Sequence, residues 1–370
     1  MLLLDSQRHY VVLVENRRTQ NPALADPGIF AVDPGSVQQQ YKSSPQPCAP
    51  DTFLVVAVIT APRNAGVRAM IRRTWGSLAG AACRTRLLFM LGRVHSHSTQ
   101  QHLDEEAREH GDLLQSNQFD DTFRSSTIKA MRQSALARSG IKDLTESERF
   151  RGCTRTWYHV TLQTLHMYQW CAAYCPSSTF VARVDDDAYL NIPKLYDTLK
   201  NQSPDAFYGH VYAQEILNDA WFPQRNPNGK YYSPREEYRQ DRYPVYIWGF
   251  LIIAPTRLLG KVLYASLVIP YSFLDDVYVT GLVANSSGIP LRHITGITQK
   301  TKTMAVAQSC LKDKYTAIHK MGQKDLLGVK KRRVLIYYAG IAVATTHRMT
   351  NRSAVAGVGN ALESMSAERL

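Results

Sequence analysis

The sequence predicts an α/β fold, a sheet flanked by helices, from three observations. Apolar runs of strand length recur and are interleaved with helix-like segments. Pro, Gly, Asn and Asp clusters separate the two kinds of segment. Three aspartates, Asp185, Asp186 and Asp187, directly follow one apolar run, and open α/β sheets bind ligands beyond the carboxyl ends of their strands.

Taken in order, residues 15–50 are rich in Pro, Gln, Asn and Ser, and residues 1–50 read as a stem-like or disordered segment. "FLVVAVITA" (53–61) is a buried strand bounded by Asp51 and Pro62, and "RLLFMLGR" (86–93) is a second. Between them "AGVRAMIRRTWG" (65–76) is a short basic helix ending at Gly76. Residues 99–110 form a polar helix, and "DLLQSNQFDDTF" a short strand and a loop. Residues 125–155 carry seven Lys/Arg and three Asp/Glu with few large apolar side chains, and read as an exposed insertion. In the helix that follows, Trp157, Val160, Leu165, Tyr168 and Ala172 fall on one stripe. "STFVARV" is a strand, Pro193 starts a helix through about Lys200, and "AFYGHVY" and "VYIWGFLIIAP" are further strands. Helices open at Pro255 and at "DDVYVTGLVANSSG". Residues 51–330 thus form the ordered domain, and 331–370 a C-terminal tail.

Size and composition fit this picture. The chain has 370 residues, 44% hydrophobic, 10% aromatic and 20% charged, enough for one large domain or two small ones. A net charge of +13 suits polyanions such as nucleotide diphosphates. No basic-aromatic repeat or zinc-finger spacing points to nucleic acid, and none is expected as a partner. The six cysteines include no C-x-x-C pair, so neither a zinc site nor a disulfide scaffold is indicated. Sequons at Asn201, Asn285 and Asn351 lean towards an oxidising, glycosylating compartment. "MLLL" and "YVVLV" are cut short by Asp5 and Glu15, whereas a spanning helix needs roughly 20 apolar residues. "VLIYYAGIAVATT" (334–346) is also too short and reads as a packed tail.

Carboxylates as close as Asp185, Asp186 and Asp187 repel when ionised. A hard divalent cation resolves this, because magnesium and manganese take carboxylate oxygens together with substrate phosphates. The competing reading is a solvated acidic turn. Three further motifs favour the metal: "AMIRRTWG", "YPVYIWG" and "LDDVYVTG".

Together these motifs resemble the β-1,3-glycosyltransferase family, of the galactosyl- and N-acetylglucosaminyltransferase type. Arg68, Ile71, Arg72, Thr74, Trp75 and Gly76 match its "R-x-x-I-R-x-T-W-G". Asp185, Asp186, Asp187, Tyr189 and Asn191 match "D-D-D-x-[FY]-x-N". Tyr243, Pro244, Tyr246 and Gly249 match "Y-P-x-Y-x-x-G"; Asp275, Asp276 and Val277 match "[ED]-D-V", with Gly281 one position late. The resemblance implies a glycosyltransferase A fold, a nucleotide-binding mixed sheet flanked by helices. It implies a UDP-sugar donor, a glycan acceptor on protein or lipid, inversion at the anomeric carbon, and a Golgi-membrane enzyme whose catalytic domain is lumenal. It places Mn2+ or Mg2+ on Asp185 and Asp187, with His319 preferred over His293 as a further ligand. Arg68, Arg72, Thr74, Trp75, Arg183, Asp185 and Asp186 would contact the nucleotide, although the arginines also fit a solvated helix face and Trp75 a core position. Asp276 would be the general base. Asp275 would cap the helix beside it, at the substrate site, and the helix N-terminus would keep Asp276 ionised. Tyr243, Tyr246, Trp248 and Gly249 would shape the sugar or acceptor pocket. The first function this implies is galactosyl transfer. The alternatives are N-acetylglucosaminyl transfer and an inactive relative that binds a sugar or nucleotide.

Overall fold

In this computed structural model the described residues are 34–120, 158–212, 222–226, 231–235, 237–300, 314–322 and 325–326. The expected insertion at 125–155 and tail at 331–370 lie outside them, as do residues 1–33.

The centre is a buried parallel sheet. Strand β2 (Leu54–Ile59) is apolar and buried at every position, as expected of a strand covered on both faces. It pairs in parallel with β3 (Thr85–Arg93) on one side and β5 (Phe180–Asp185) on the other. Strand β4 (Leu113–Asp120) extends the parallel side, and β1 (Tyr41–Ser43) closes it antiparallel. Beyond β5 come β8 (Tyr246–Pro255), antiparallel, then β7 (Phe207–Tyr212) and β9 (Leu291–His293). The order is β1-β4-β3-β2-β5-β8-β7-β9.

Two apolar layers sandwich this sheet. On one face pack helix α2 (Ala65–Arg73), Leu103 of helix α3 (His97–His110) and helix α5 (Ile192–Leu199). On the other pack helix α4 (Tyr158–Tyr174), helix α6 (Leu259–Val268) and the turns from Val277 to Val283. A small second sheet joins β6 (Tyr189–Leu190), β11 (Ala317–His319) and β10 (Ile297–Gln299).

Several expectations change. Residues 34–50 are not a bare stem: helix α1 (Pro34–Gln38) precedes β1, which covers the β4 edge with Tyr41 opposite Ser116. A disulfide from Cys48 to Cys175 and the Cys48 amide on the Tyr174 carbonyl fasten the segment. An edge strand of three residues leaves no periodic signal to read. Helix α4 is buried around most of its girth, not along one stripe, because the sheet lies on one side and α1 and α6 on others. The helix expected to run from 65 to 76 ends at Arg73 and gives way to a 3-10 turn, Trp75–Leu78. The helix expected after Asp275 opens instead with a wide π-type turn, Val277–Val283, a distortion frequent at functional sites.

Candidate active site

Strand β5 ends at Asp185, opposite Ile59 at the end of β2. The chain turns through Asp186 and Asp187 and re-enters a strand at Tyr189. Because Tyr189 pairs with Ile318 across β6 and β11, His319 is delivered to the aspartates from more than a hundred residues away. Its Nε2 lies 3.2 Å from Asp187 Oδ1 and 3.6 Å from Asp185 Oδ2. One ligand atom from each of Asp185, Asp187 and His319 falls within 4.8 Å of the others. Two oxygens and an imidazole suit a divalent ion that accepts both, manganese more than magnesium. The His319 ring is fixed by stacking on Phe250, with centroids 4.7 Å apart, and by the edge of Trp248 at 5.5 Å. The Met321 amide holds the Asp187 carbonyl at 2.7 Å.

Asp186 and Asp187 are shifted in opposite directions. Burial works against ionised Asp187, but the hydrogen bond and charge of His319 outweigh it and hold its carboxyl below the usual range. Asp186 turns the other way. Thr60 Oγ1 and Asn64 Nδ2 donate to its Oδ2 at 2.7 and 2.8 Å, yet burial pushes its carboxyl up, and the adjacent charges of Asp185 and Asp187 add to this. Asn191 serves as a helix cap, its Oδ1 accepting from the Lys194 amide.

Arg183 joins this cluster to a second one. Its side chain is 3% exposed and pairs with Asp185 on one side and with Asp275 Oδ2 at 3.0 Å on the other. It also donates to the Gly249 carbonyl. Burial opposes its charge, but Asp185, Asp275 and Asp276 outweigh that and raise its pKa. Asp275 is therefore an internal counter-ion, not a cap at a substrate surface, and Thr164 hydroxyl donates to it as well, at 3.4 Å. It is Asp276 whose Oδ1 accepts from the first amide of the turn, Val277 N–H, at 2.8 Å. The expected ionising effect of the helix end on Asp276 is overridden. Burial, then the Asp275 charge, push its carboxyl up to about 7. Burial raises the Asp275 carboxyl as well, with the Arg183 charge opposing it.

Gly249 lets these elements meet. A Cβ there would lie 3.0 Å from Asp276 Oδ2, so the carboxyl rests against bare backbone. Trp248 and Phe250, its neighbours on β8, border His319. Neighbouring residues of β8 thus touch both groups, Trp248 and Phe250 meeting His319 and Gly249 meeting Asp276. Tyr243 and Tyr246 are both 5% exposed and pack on each other and on Val277. They wall the Asp276 side, while Trp248 remains partly exposed.

The arginine motif has a different place from the one expected. Arg68 is fully buried; its Nε donates to Glu106 at 2.8 Å, and its other nitrogens reach Glu106 and the Ala61 and Pro62 carbonyls. Arg72 grips Asp112 through two bonds and Glu106 at 2.8 Å, and lies over the Phe89 ring. Thr74 Oγ1 bonds back to the Met70 carbonyl at 2.8 Å, and Trp75 is 2% exposed in the core. Arg68 and Arg72 thus brace α2 against Glu106 of α3, Thr74 bonds back within α2 and Trp75 fills the core, so in this structure all four are taken up by the protein itself. Arg183 is likewise occupied. Nor does His293 join the triplet: it is exposed, with its Nδ1 3.4 Å from the Val211 amide. The sequence reading overlooked Thr60, Asn64, His210, Tyr212 and Phe250. No motif marks them, since they reach the site only through strand order.

The geometry can be set beside known proteins. A family model described as galactosyltransferase matches residues 66–141 and 152–295. The chain belongs to the galactosyltransferase family. The break in this match, after residue 141, falls within the segment read as an insertion. N-acetyllactosaminide beta-1,3-N-acetylglucosaminyltransferase 4 of Homo sapiens is 29% identical over 259 residues, 68% of this chain and 57% of that protein. Beta-1,3-galactosyltransferase 5 of Homo sapiens is 27% identical over 247 residues, 65% of this chain and 66% of that protein. The chain therefore spans less than two thirds of the length of either relative. Among solved structures, the WbbM bifunctional glycosyltransferase aligns at a TM-score of 0.42 and 12% identity over 76% of this chain and 50% of that chain. With the family established, the mixed sheet and the acidic turn at the end of β5 are those of a glycosyltransferase A-type α/β fold.

Proposed function

We infer that this galactosyltransferase-family chain transfers a hexose from a UDP-sugar to a hydroxyl of a glycan acceptor, with inversion and formation of a β-1,3 linkage. The observation that carries this is the placement of two acidic groups at β8: Asp187 with Asp185 and His319 on one side, and Asp276, resting against Gly249 with its carboxyl pushed up to about 7, on the other. Asp185, Asp187 and His319 would hold a manganese or magnesium ion, which, when bound, neutralises charge on the departing diphosphate. Asp276 takes the proton of the attacking hydroxyl. A base titrating near 7 is matched to that task at neutral pH. Arg183 bridges Asp185 and Asp275, so the two acidic groups hold a fixed spacing. Tyr243 and Tyr246 line the Asp276 side and limit water there.

Galactose is the donor we favour. N-acetylglucosamine is the second reading, because relatives named for each activity match to nearly the same degree. The Cys48–Cys175 disulfide and exposed Asn201 and Asn285 support an oxidising lumen such as the Golgi. Among the described residues no helix is long and apolar enough to cross a membrane. The deciding experiment supplies purified chain with UDP-galactose or UDP-N-acetylglucosamine, manganese and a galactoside or glucosaminide acceptor, and follows UDP release and product linkage. Turnover should vanish with EDTA, return with manganese, and drop by about 10²–10⁴-fold in Asp276→Asn. Asp187→Ala should abolish the manganese response. UDP and sugar binding without turnover would instead make the chain a binding module.

A further inference from the structure

Strand β8 carries an irregularity that the catalytic reading does not use. Its pairing with β7 runs from Tyr212↔Tyr246 to Val211↔Ile247, then resumes at Gly209↔Ile252. His210 alone on β7 thus faces the stretch from Trp248 to Leu251. Such bulges re-aim side chains and are enriched beside active sites. Gly209 permits this one, since a Cβ there would collide with the Ile247 side chain.

The bulge gathers three partly exposed rings. His210 and Trp248 have centroids 5.6 Å apart, His210 and Tyr212 5.3 Å, and Tyr212 and Trp248 6.0 Å. Burial distinguishes Trp248 from Trp75 and Trp170, which are 2% and 0% exposed in the core. One end of the group meets the candidate metal ligand His319 through Trp248. The other end meets Tyr246, 5.3 Å from Tyr212, on the Asp276 side. Gly249, next to Trp248, is the residue against which Asp276 rests.

We propose that Trp248, flanked by His210 and Tyr212, is the platform for the terminal pyranose of the acceptor. The C–H face of a pyranose is apolar and matches an aromatic face, while the imidazole and phenol supply polar groups at the rim. A ring seated there adjoins Trp248, whose ring meets His319, and Tyr212, whose ring meets Tyr246. That the occupant is an acceptor rests on the glycosyl-transfer reading. The stacking site itself rests only on the rings.

The test uses the full chain with manganese and UDP, and two probes, methyl β-D-galactopyranoside and methyl N-acetyl-β-D-glucosaminide. Binding is read by tryptophan fluorescence and saturation-transfer NMR. At least one probe should bind saturably, with its ring C–H protons receiving magnetisation from aromatic side chains, and the probe that binds identifies the acceptor sugar. Trp248→Ala should weaken that probe by about tenfold, and because Trp248 also borders His319, UDP-hexose affinity should fall by clearly less than that. Trp248→Phe should keep most of the affinity. His210→Ala, at the exposed rim, provides a second variant that does not disturb the core, and should weaken the same probe. The proposal is overturned if neither probe binds, if both Trp248→Ala and His210→Ala bind as the parent does, or if UDP-hexose affinity falls in parallel with that of the probe. Probe binding through Trp248 without UDP release in turnover assays would retain the platform and remove the transferase reading. Turnover indifferent to Trp248 would do the reverse.

Discussion

Asp276 carries opposing demands that the pair Asp275–Asp276 makes explicit. Burial and the neighbouring charge raise its carboxyl from the usual 3.8 to about 7. A base must be ionised to act, so activity should fall as pH drops through about 7, and kcat/KM against pH should show this limb. Stability runs the other way. A raised carboxyl favours the native state while protonated, so that contribution is present below about pH 4 and is lost as pH rises towards 7. Asp276→Asn should therefore melt at a higher temperature than the parent at pH 8 and lose this difference at pH 4, while being nearly inactive. Gly249→Ala tests the approach that places the carboxyl. Its Cβ would stand 3.0 Å from Asp276 Oδ2, so we expect kcat to fall by about tenfold or more with UDP affinity retained, the pattern of a displaced transition-state group.

At the level of elements, the arginine motif shows how a pattern can be recognised while its job is misassigned. Arg68, Arg72 and Glu106 form a cluster between α2 and α3, and Arg68 also ties down the Ala61 and Pro62 carbonyls. That loop supplies Thr60 and Asn64 to Asp186. Removing Arg68 leaves Glu106 to Arg72 alone and strips the Ala61 and Pro62 carbonyls of their donor, at a cost of roughly 1–3 kcal/mol. Arg68→Ala should lower the denaturant midpoint accordingly without changing the urea m-value. A diphosphate ligand in that position would instead lose donor affinity at constant stability. Strand β5 and the aspartates were legible because an apolar run that stops at three adjacent carboxylates joins a buried strand to a charged turn within one short stretch. The direction of Arg68 was not, since a basic helix reads alike whether its arginines face solvent, substrate or a glutamate 38 residues away.

Across the described residues, 34–50 belong to the folded unit. Strand β1 covers the β4 edge, and the Cys48–Cys175 bond spans 127 residues of chain. A loop of that size limits the unfolded chain strongly, and its loss typically costs about 2–5 kcal/mol. Cys48→Ser should lower Tm by several degrees, an effect that reducing agent reproduces in the parent and not in the variant. If residues 34–50 were a detached stem, neither change would move Tm.

The sequence by itself determined the alternation of strands and helices, the acidic turn after β5 and the Asp-Asp-Val turn, because each is written in a contiguous stretch whose periodicity or charge is local. It also carried the family motifs. Only the tertiary structure decided that Arg183 bridges Asp185 to Asp275, that the Asp276 carboxyl is pushed up to about 7, and that Phe250 stacks on His319 beside the acidic turn. Those properties arise from burial and from strand order, which bring residues distant in the chain within a few ångströms, and no local pattern encodes them.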